Sequence, residues 1–494
     1  MIPAAQAPTA DLLRRLSGDD APIETHISAL FRGAGTVWKL RKAMRLPFLD
    51  FTDTAARERA ARRELELNAP HAPGLYRDVA TVVRRPDGSV ALDGAGEPID
   101  WVVRMARVPE GDFLDAVAAR GGLDAALLDA LGDAVAAYLA AAPRSDMDGL
   151  TAQATMTEGN LRSARAAGLP EAHVAAWGQA MRRELDRRAD WLRARGREGF
   201  VRRCHGDLHL GNLCLWQGKP VPFDAVEFDE AIATGDVGYD LAFLLMDLEH
   251  RAGRAAANRV LCRYVARTGD WPVVTGLPLF LAQKAMVRAH VEAARGRAAE
   301  AASYLAMSLG YLHPAPPVVV AVGGLMGTGK TTLARALAPD LGPSPGALIL
   351  RSDEIRKRRR GVPPEDRLPP DAYAEAESRA VFAELHHAIT GTAAAGHAAI
   401  ADATYLDPAH RGAVAEAAAS AGVPFRGVWL QAPLDVLEAR IATRRGDASD
   451  ATVAVLRRAA QSNPTPPAGW LAVDARDAAG ALAAVRAALP PASC

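Results

Sequence analysis

The sequence predicts two folds in series: an α+β region whose strands precede its helices, then an α/β region built on a parallel sheet. Three observations predict this. Residues 23–106 read as short strands with turn signals, and residues 112–200 then become Ala-, Leu- and Arg-rich with helical periodicity. His313-Pro314-Ala315-Pro316-Pro317 places three prolines in five residues, which no helix continues. Val318–Val322 is an unbroken apolar run entering a glycine-rich turn, the pattern of a strand buried on both faces of a parallel sheet. The 494 residues exceed what one core supports, so the expected boundaries are 1–312, a linker at 313–317, and 318–494.

Ala10–Leu16 carries an amphipathic helical pattern. Ile23–Phe31 alternates and reads as one strand, Arg32-Gly33-Ala34-Gly35 supplies a turn, and Thr36–Leu40 returns as a second strand. Lys39 therefore projects from a hairpin. A helix is expected over Thr54–Asn68, bearing Glu64 and Glu66. Strands are expected over Val79–Arg84 and Ile99–Ala106, with a hinge at Val108-Pro109-Glu110. Leu213-Cys214-Leu215-Trp216 reads as a strand, and a second one ends at Pro222-Phe223-Asp224. Helices resume over about 239–311, where Lys284, Arg288 and Glu292 share one face, either as a solvated ion-paired surface or as a pocket wall.

The octet His205-Gly206-Asp207-Leu208-His209-Leu210-Gly211-Asn212 puts a carboxylate and a carboxamide five residues apart in a loop, and Asp224 follows at the end of a strand. Phosphoryl transfer from ATP asks for these groups. A carboxylate takes the hydroxyl proton, and Asn and Asp oxygens hold Mg²⁺ against the phosphates. With Gly235-Asp236-Val237-Gly238-Tyr239-Asp240-Leu241-Ala242, these residues resemble the aminoglycoside phosphotransferase family of small-molecule kinases. The resemblance implies a bilobal, protein-kinase-like fold, with Asp207 as base and Asn212 and Asp224 as metal ligands. It also implies a strand lysine, Lys39, paired with a helix glutamate, Glu64, and reaching the ATP phosphates. Read without the resemblance, Lys39 is an edge-strand lysine that blocks sheet-to-sheet pairing. The family pattern is incomplete: no G-x-G-x-x-G precedes Lys39, so a loop covering phosphates is either Arg32–Gly35 or absent. The stretches Arg45-Leu46-Pro47-Phe48-Leu49-Asp50-Phe51 and Ala72-Pro73-Gly74-Leu75-Tyr76 resemble a subgroup fused to a second, P-loop domain.

In that second region, Gly324-Leu325-Met326-Gly327-Thr328-Gly329-Lys330-Thr331 matches G-x-x-x-x-G-K-[ST] in full, between a strand and the helix Thr332–Leu337. Its backbone N–H groups and the helix N-terminus suit a phosphate. Lys330 would reach the β- and γ-phosphates, and the Thr331 hydroxyl would ligate Mg²⁺. Further strands over Ala347–Leu350, Ala398–Ala401 and Gly427–Leu430 direct Asp353 and Asp402 toward the loop, since ligands bind beyond the carboxyl ends of such strands. The layout resembles the small AAA-type P-loop kinases near gluconate kinase, polynucleotide kinase and the zeta toxins. That resemblance implies Asp353 beside the acceptor hydroxyl, Arg356 on the substrate and Asp402 near Mg²⁺. Arg440, Arg444 and Arg445, followed by Gly446-Asp447-Ala448-Ser449-Asp450, are either a lid bringing cations to the phosphoryl group or a helix end that complements its dipole.

Formal net charge is zero, which gives no support for sequence-independent nucleic-acid binding. The run Arg356-Lys357-Arg358-Arg359-Arg360 is the one exception, readable also as a solvated helix face or a phosphate-substrate clamp. Only six of the 58 basic residues are lysine (39, 42, 219, 284, 330 and 357), so a lysine that persists marks a place wanting a compact point charge. Cys204, Cys214, Cys262 and Cys494 form neither a disulfide framework nor a zinc pattern, which fits a reducing cytosol. The N-terminus lacks a basic, then apolar leader, and no window is apolar enough to span a membrane. The expectation is a cytoplasmic, two-domain kinase using ATP and Mg²⁺ on the hydroxyl of a sugar, polyol or aminocyclitol-like molecule. Two alternatives stay open: a nucleotide or nucleic-acid kinase centred on the P-loop domain, and an ATP-sensing protein with a non-catalytic first domain.

Overall fold

The computed structural model describes residues 1–46, 49–444, 446–462 and 464–489; Pro47, Phe48, Arg445 and Cys494 lie outside them. Packing groups the chain into two compact units. One comprises Met1–Leu123, Ala137–Gln153 and Leu192–Asp240, and the other Asp124–Ala136, Ala154–Trp191 and Leu241–Cys494. This division does not coincide with the proline linker, because helices that precede the linker pack with the sheet that follows it.

The first unit begins with β1 (Ile23–Glu24), β2 (Ser28–Arg32), β3 (Thr36–Arg41), β4 (Arg45–Leu46), β5 (Leu49–Asp50), β6 (Tyr76–Arg84), β7 (Val90–Leu92) and β8 (Glu97–Ala106). Six of these form an antiparallel sheet ordered β1-β2-β3-β8-β6-β7, while β4 and β5 pair separately. Ile23–Phe31 is therefore not one strand. Thr25 donates its N–H to the Ser28 carbonyl at 2.9 Å and accepts the Ser28 N–H on Oγ1 at 3.0 Å. That turn folds Ile23 back onto Leu30.

Alternation along the strands serves two cores. Ala29, Phe31, Leu40 and Val102 pack under Leu12 and Leu13 of the helix Ala7–Ser17. Val103 and Met105 meet Ala61 of the helix Thr54–Asn68 on the other face. Asp53 caps that second helix, accepting the Ala56 N–H at 3.2 Å. Farther along lie β9 (Val201–Arg203), β10 (Leu213–Trp216), β11 (Lys219–Pro222) and β12 (Thr234–Asp236), with β10 paired to β11 and β9 to β12.

The second unit contains β13 (Val319–Gly324), β14 (Leu348–Arg351), β15 (Ala399–Asp402), β16 (Phe425–Gln431) and β17 (Leu471–Asp474). They form a parallel sheet ordered β14-β15-β13-β16-β17. All six residues of β13 are buried, as its unbroken apolar run requires. Four long helices precede the sheet: Val237–Ala252, Arg254–Thr268, Leu277–Ala294 and Ala298–Tyr311. No helix among the described residues is long and apolar enough to cross a membrane.

Candidate active sites

The octet leaves β9, passes a 3-10 turn over Leu210–Asn212 and enters β10. Gly206 sits at φ +84°, where a Cβ would lie 3.1 Å from Val226 and 3.2 Å from Ala233, so glycine suits the bend on both counts. Asp240 accepts the His205 and Gly206 N–H groups at 2.8 and 3.1 Å. The buried His205 ring accepts the Asp207 N–H on Nδ1 at 3.3 Å, which makes Nε2 the donor to the Phe223 carbonyl at 2.9 Å. Burial lowers its pKa and keeps the ring neutral. Thus Asp240, present in the second motif but given no role there, fixes the loop.

Asp207 presents a carboxylate whose side chain is 42% exposed. Asn212 Nδ2 donates to the Asp207 carbonyl at 2.9 Å and to its Oδ2 at 3.0 Å, which leaves the amide oxygen as the atom for a cation. The Phe223 N–H donates to the Asn212 carbonyl at 3.0 Å, placing Asn212 beside the strand end that carries Asp224. Asp224 lies at φ +62°, and the Tyr76 hydroxyl accepts its N–H at 3.0 Å.

Lys39 Nζ bonds the Asp224 carboxylate and stands 2.7 Å from Glu64 Oε1. Burial alone would raise the Asp224 pKa, but Lys39 and Arg41 outweigh it and hold the carboxyl below its usual range. Lys39, Glu64 and Asp224 are thus brought together. The edge-strand reading of Lys39 fails, since β3 is flanked by β2 and β8 and Lys39 is buried. Sequence reasoning missed Arg41, which ion-pairs Glu64 and Glu227 at 2.5 Å each. Its only signal was the two-residue strand period from Lys39.

In the second unit, Gly324 sits at φ +131° with a would-be Cβ 2.4 Å from the Leu430 carbonyl, a position closed to any larger residue. Lys330 Nζ donates to the carbonyls of Gly324 and Leu325 at 3.1 and 3.0 Å, and burial lowers its pKa. The Thr331 hydroxyl donates to Asp402 Oδ2 at 2.6 Å. Arg351, also missed, reaches Asp402 at 3.2 Å, Glu354 at 2.9 Å and Asp447 at 3.3 Å. Asp353 occupies the first turn of the helix Ser352–Arg359. Burial raises its pKa and Asp402 adds to the rise, against the pull of Arg351 and of a hydrogen bond from Ser449.

Gly327, Thr328, Gly329, Lys330, Thr331 and Thr332 line one cavity of about 1230 Å³. Asp353, Asp402, Arg356 and Arg444 line it too. Arg356 donates to the Ala372 carbonyl at 2.7 Å and stacks on Tyr373, while its buried Nε has no hydrogen-bond partner. Arg444 donates to the Ser449 and Ala451 carbonyls, both at 2.9 Å. Arg440 is drawn to the Ala475 and Arg476 carbonyls at 2.9 and 3.0 Å.

Two expectations are corrected. Lys284 and Glu292 do not form a solvated face: both are buried, Lys284 over the Phe243 ring and Glu292 among Arg288, Arg295 and Arg297. The run Arg356–Arg360 is neither a wholly solvated face nor an open basic patch. Arg356 and Lys357 are buried, and Lys357, Arg358, Arg359 and Arg360 pair with Asp450, Glu384, Glu377 and Asp371.

No cluster of three or more His, Cys, Asp or Glu side chains suited to a metal occurs among the described residues. The oxygens at Asn212 and Asp224, and at Thr331 and Asp402, suit a hard cation shared with substrate phosphates, the usual situation of Mg²⁺.

A family model described as the phosphotransferase enzyme family matches residues 43–277, and one described as an AAA domain matches residues 319–466. An uncharacterized protein of Mycobacterium tuberculosis (strain H37Rv) is 31% identical over 458 residues, covering 87% of this chain and 88% of that protein. Among solved structures, a gluconokinase from Sinorhizobium meliloti is 22% identical, with a TM-score of 0.24, over 34% of this chain and 88% of that one. The GDP complex of aminoglycoside 2'-phosphotransferase-IIIa is 14% identical, with a TM-score of 0.33, over 62% of this chain and 96% of that one.

Proposed function

This chain belongs to the ATP-dependent kinases that join a phosphotransferase-family domain to a P-loop AAA domain, and we propose that both of its domains phosphorylate hydroxyl groups of small molecules. In the first domain, Asp207 takes the acceptor proton. Asn212 and Asp224 hold Mg²⁺, and Lys39, oriented by Glu64, binds the phosphates. In the second, residues 324–332 cradle the nucleotide through backbone N–H groups, Lys330 takes the terminal phosphates, and Thr331 and Asp402 hold the metal. Asp353 receives the acceptor proton, Arg356 binds the acceptor, and Arg444 carries a lid cation toward the cavity. Mg²⁺ at either site would neutralise charge on the β- and γ-phosphates.

The observation that carries the reading is the 2.6 Å contact of Thr331 with Asp402 in the same cavity as Asp353. The nucleotide site thereby shares its space with a second carboxylate, which supports a place for an acceptor hydroxyl to lose its proton. The ion pairing of residues 357–360 with Asp450, Glu384, Glu377 and Asp371 supports a small acceptor over a polynucleotide.

The test is a transfer screen on the full chain against sugars, polyols and aminocyclitols, run in parallel with Lys330→Ala and Asp207→Asn. Each substitution should erase phosphorylation of a different acceptor. Brisk acceptor-independent ATP hydrolysis that survives Asp353→Asn would move the second domain to the ATPases.

A further inference from the structure

Besides the Arg444 bonds to the Ser449 and Ala451 carbonyls, residues 446–452 are tied at three further points. Asp447 meets Arg351 at 3.3 Å and Ser449 hydrogen-bonds Asp353, so two ties engage groups lining the reaction centre. The third engages neither Arg351 nor Asp353. The Asp450 carboxylate lies 2.8 Å from Lys357 Nζ through both oxygens. It also accepts the Leu368 N–H at 3.0 Å and the Tyr373 hydroxyl at 2.7 Å. Lys357 is 1% exposed and donates as well to the Asp366 carbonyl.

One carboxylate therefore joins three pieces of chain: the 446–452 segment, the helix that carries Asp353, and the loop 366–373, whose Arg367, Leu368 and Tyr373 line the same cavity as the P-loop. The choice of lysine in a chain that favours arginine fits this place. A compact ammonium can bind one carboxylate and one carbonyl in a space too narrow for a planar fork. A buried charge pair is weak evidence for stability by itself, and its better-attested use is to fix register between elements.

We propose that Asp450 and Lys357 form a latch that keeps the 446–452 segment in register with the acceptor-side loop. Both are then positioning residues for transfer in the second domain. The inference rests on the P-loop kinase reading of that domain. The latch holds the segment over the nucleotide, so product nucleotide leaves only after the Asp450 contacts part.

The test follows release of mant-ADP, in Mg²⁺, from the full chain by stopped flow, reading the phase that disappears in Lys330→Ala. Asp450→Ala should speed that phase about tenfold, the loss typical of one charged hydrogen bond. Asp450→Glu should recover part of it. Tyr373→Phe removes a single hydroxyl from a partly exposed ring, so it should fold and melt as the parent does yet release mant-ADP measurably faster. A merely structural pair would lower the melting temperature and leave release unchanged. Unchanged release in folded Asp450→Ala, or in Tyr373→Phe if the former does not fold, overturns the latch. If the parent chain shows no Lys330-dependent phase, the P-loop reading itself fails and the latch falls with it.

Discussion

Asp353 and Asp224 are carboxylates pushed in opposite directions, and each direction fixes a sign. Asp353 has its folded-state pKa raised above the ordinary 3.8, chiefly by burial. The folded chain then binds more protons than the unfolded one between those two values, so stability falls as pH rises through that window. Asp353→Asn removes the cost. We predict that it melts higher than the parent at neutral pH, that the gap closes toward acid, and that transfer by the second domain is lost. Calorimetry at two pH values checks the first part, and a lower melting point at pH 7 would count against it. Asp224 has a depressed pKa, because Lys39 and Arg41 more than offset its burial. Its stabilising effect is present above 3.8 and lost as pH falls through the depressed value, so Asp224→Asn should melt lower at neutral pH. Asp207 is half-exposed. Asp207→Asn should leave melting unchanged while cutting first-domain turnover by at least the roughly 10²-fold typical of a lost general base.

At the scale of elements, contiguous features were legible in the sequence, and long-range pairings were legible only where the resemblance supplied them, as for Lys39 with Glu64. The octet and the P-loop each place their functional atoms within one turn, so spacing alone exposes them, and the strand and helix flanking the P-loop fall where expected. Arg351 meets partners 51 and 96 residues away, and Arg41 meets Glu64 from 23 residues away, with no local pattern to announce either. The helix Leu277–Ala294 misled for a related reason. Charges four residues apart mark a solvated face only if nothing packs on it, and burial there is set by other helices. Glu292 is 1% exposed among three arginines. Glu292→Ala should therefore destabilise, but by less than the about 3–5 kcal/mol of a fully buried pair, because Arg295 and Arg297 stay largely exposed to water, as read from urea denaturation. The helix Ser352–Arg359 illustrates the converse, a basic run whose cations are taken up in ion pairs with carboxylates of the same unit. A labelled single-stranded oligonucleotide should show no binding whose strength falls linearly with log salt, since free cations are what produce that slope. A steep slope in fluorescence anisotropy would reopen the nucleic-acid alternative.

At the scale of the whole second unit, the proline linker is a poor place to cut. β14 is an outermost strand of the parallel sheet, and an uncovered edge is a template for association. The helix Arg254–Thr268, which precedes the linker, covers the start of this edge. Asn258 Nδ2 donates to the Ala347 carbonyl at 2.9 Å, and the Ile349 N–H donates to Cys262 Sγ at 3.4 Å. Arg254 reaches the carbonyls of Gly342 and Pro343 at 3.0 and 3.2 Å, and Arg263 ion-pairs Glu365 at 2.8 Å. Burial pushes the Cys262 thiol pKa up to about 12. In the full chain that thiol should resist alkylation at pH 8, because the thiolate is the reactive form. A fragment of residues 316–494 lacks this cover, whereas the full chain keeps it. The sheet in the fragment should melt lower than in the full chain, and the fragment should associate with rising concentration, as read by calorimetry and light scattering. If residues 316–494 alone prove as stable as the sheet in the full chain and as free of association, the helix contributes nothing to that edge and the linker is the true boundary.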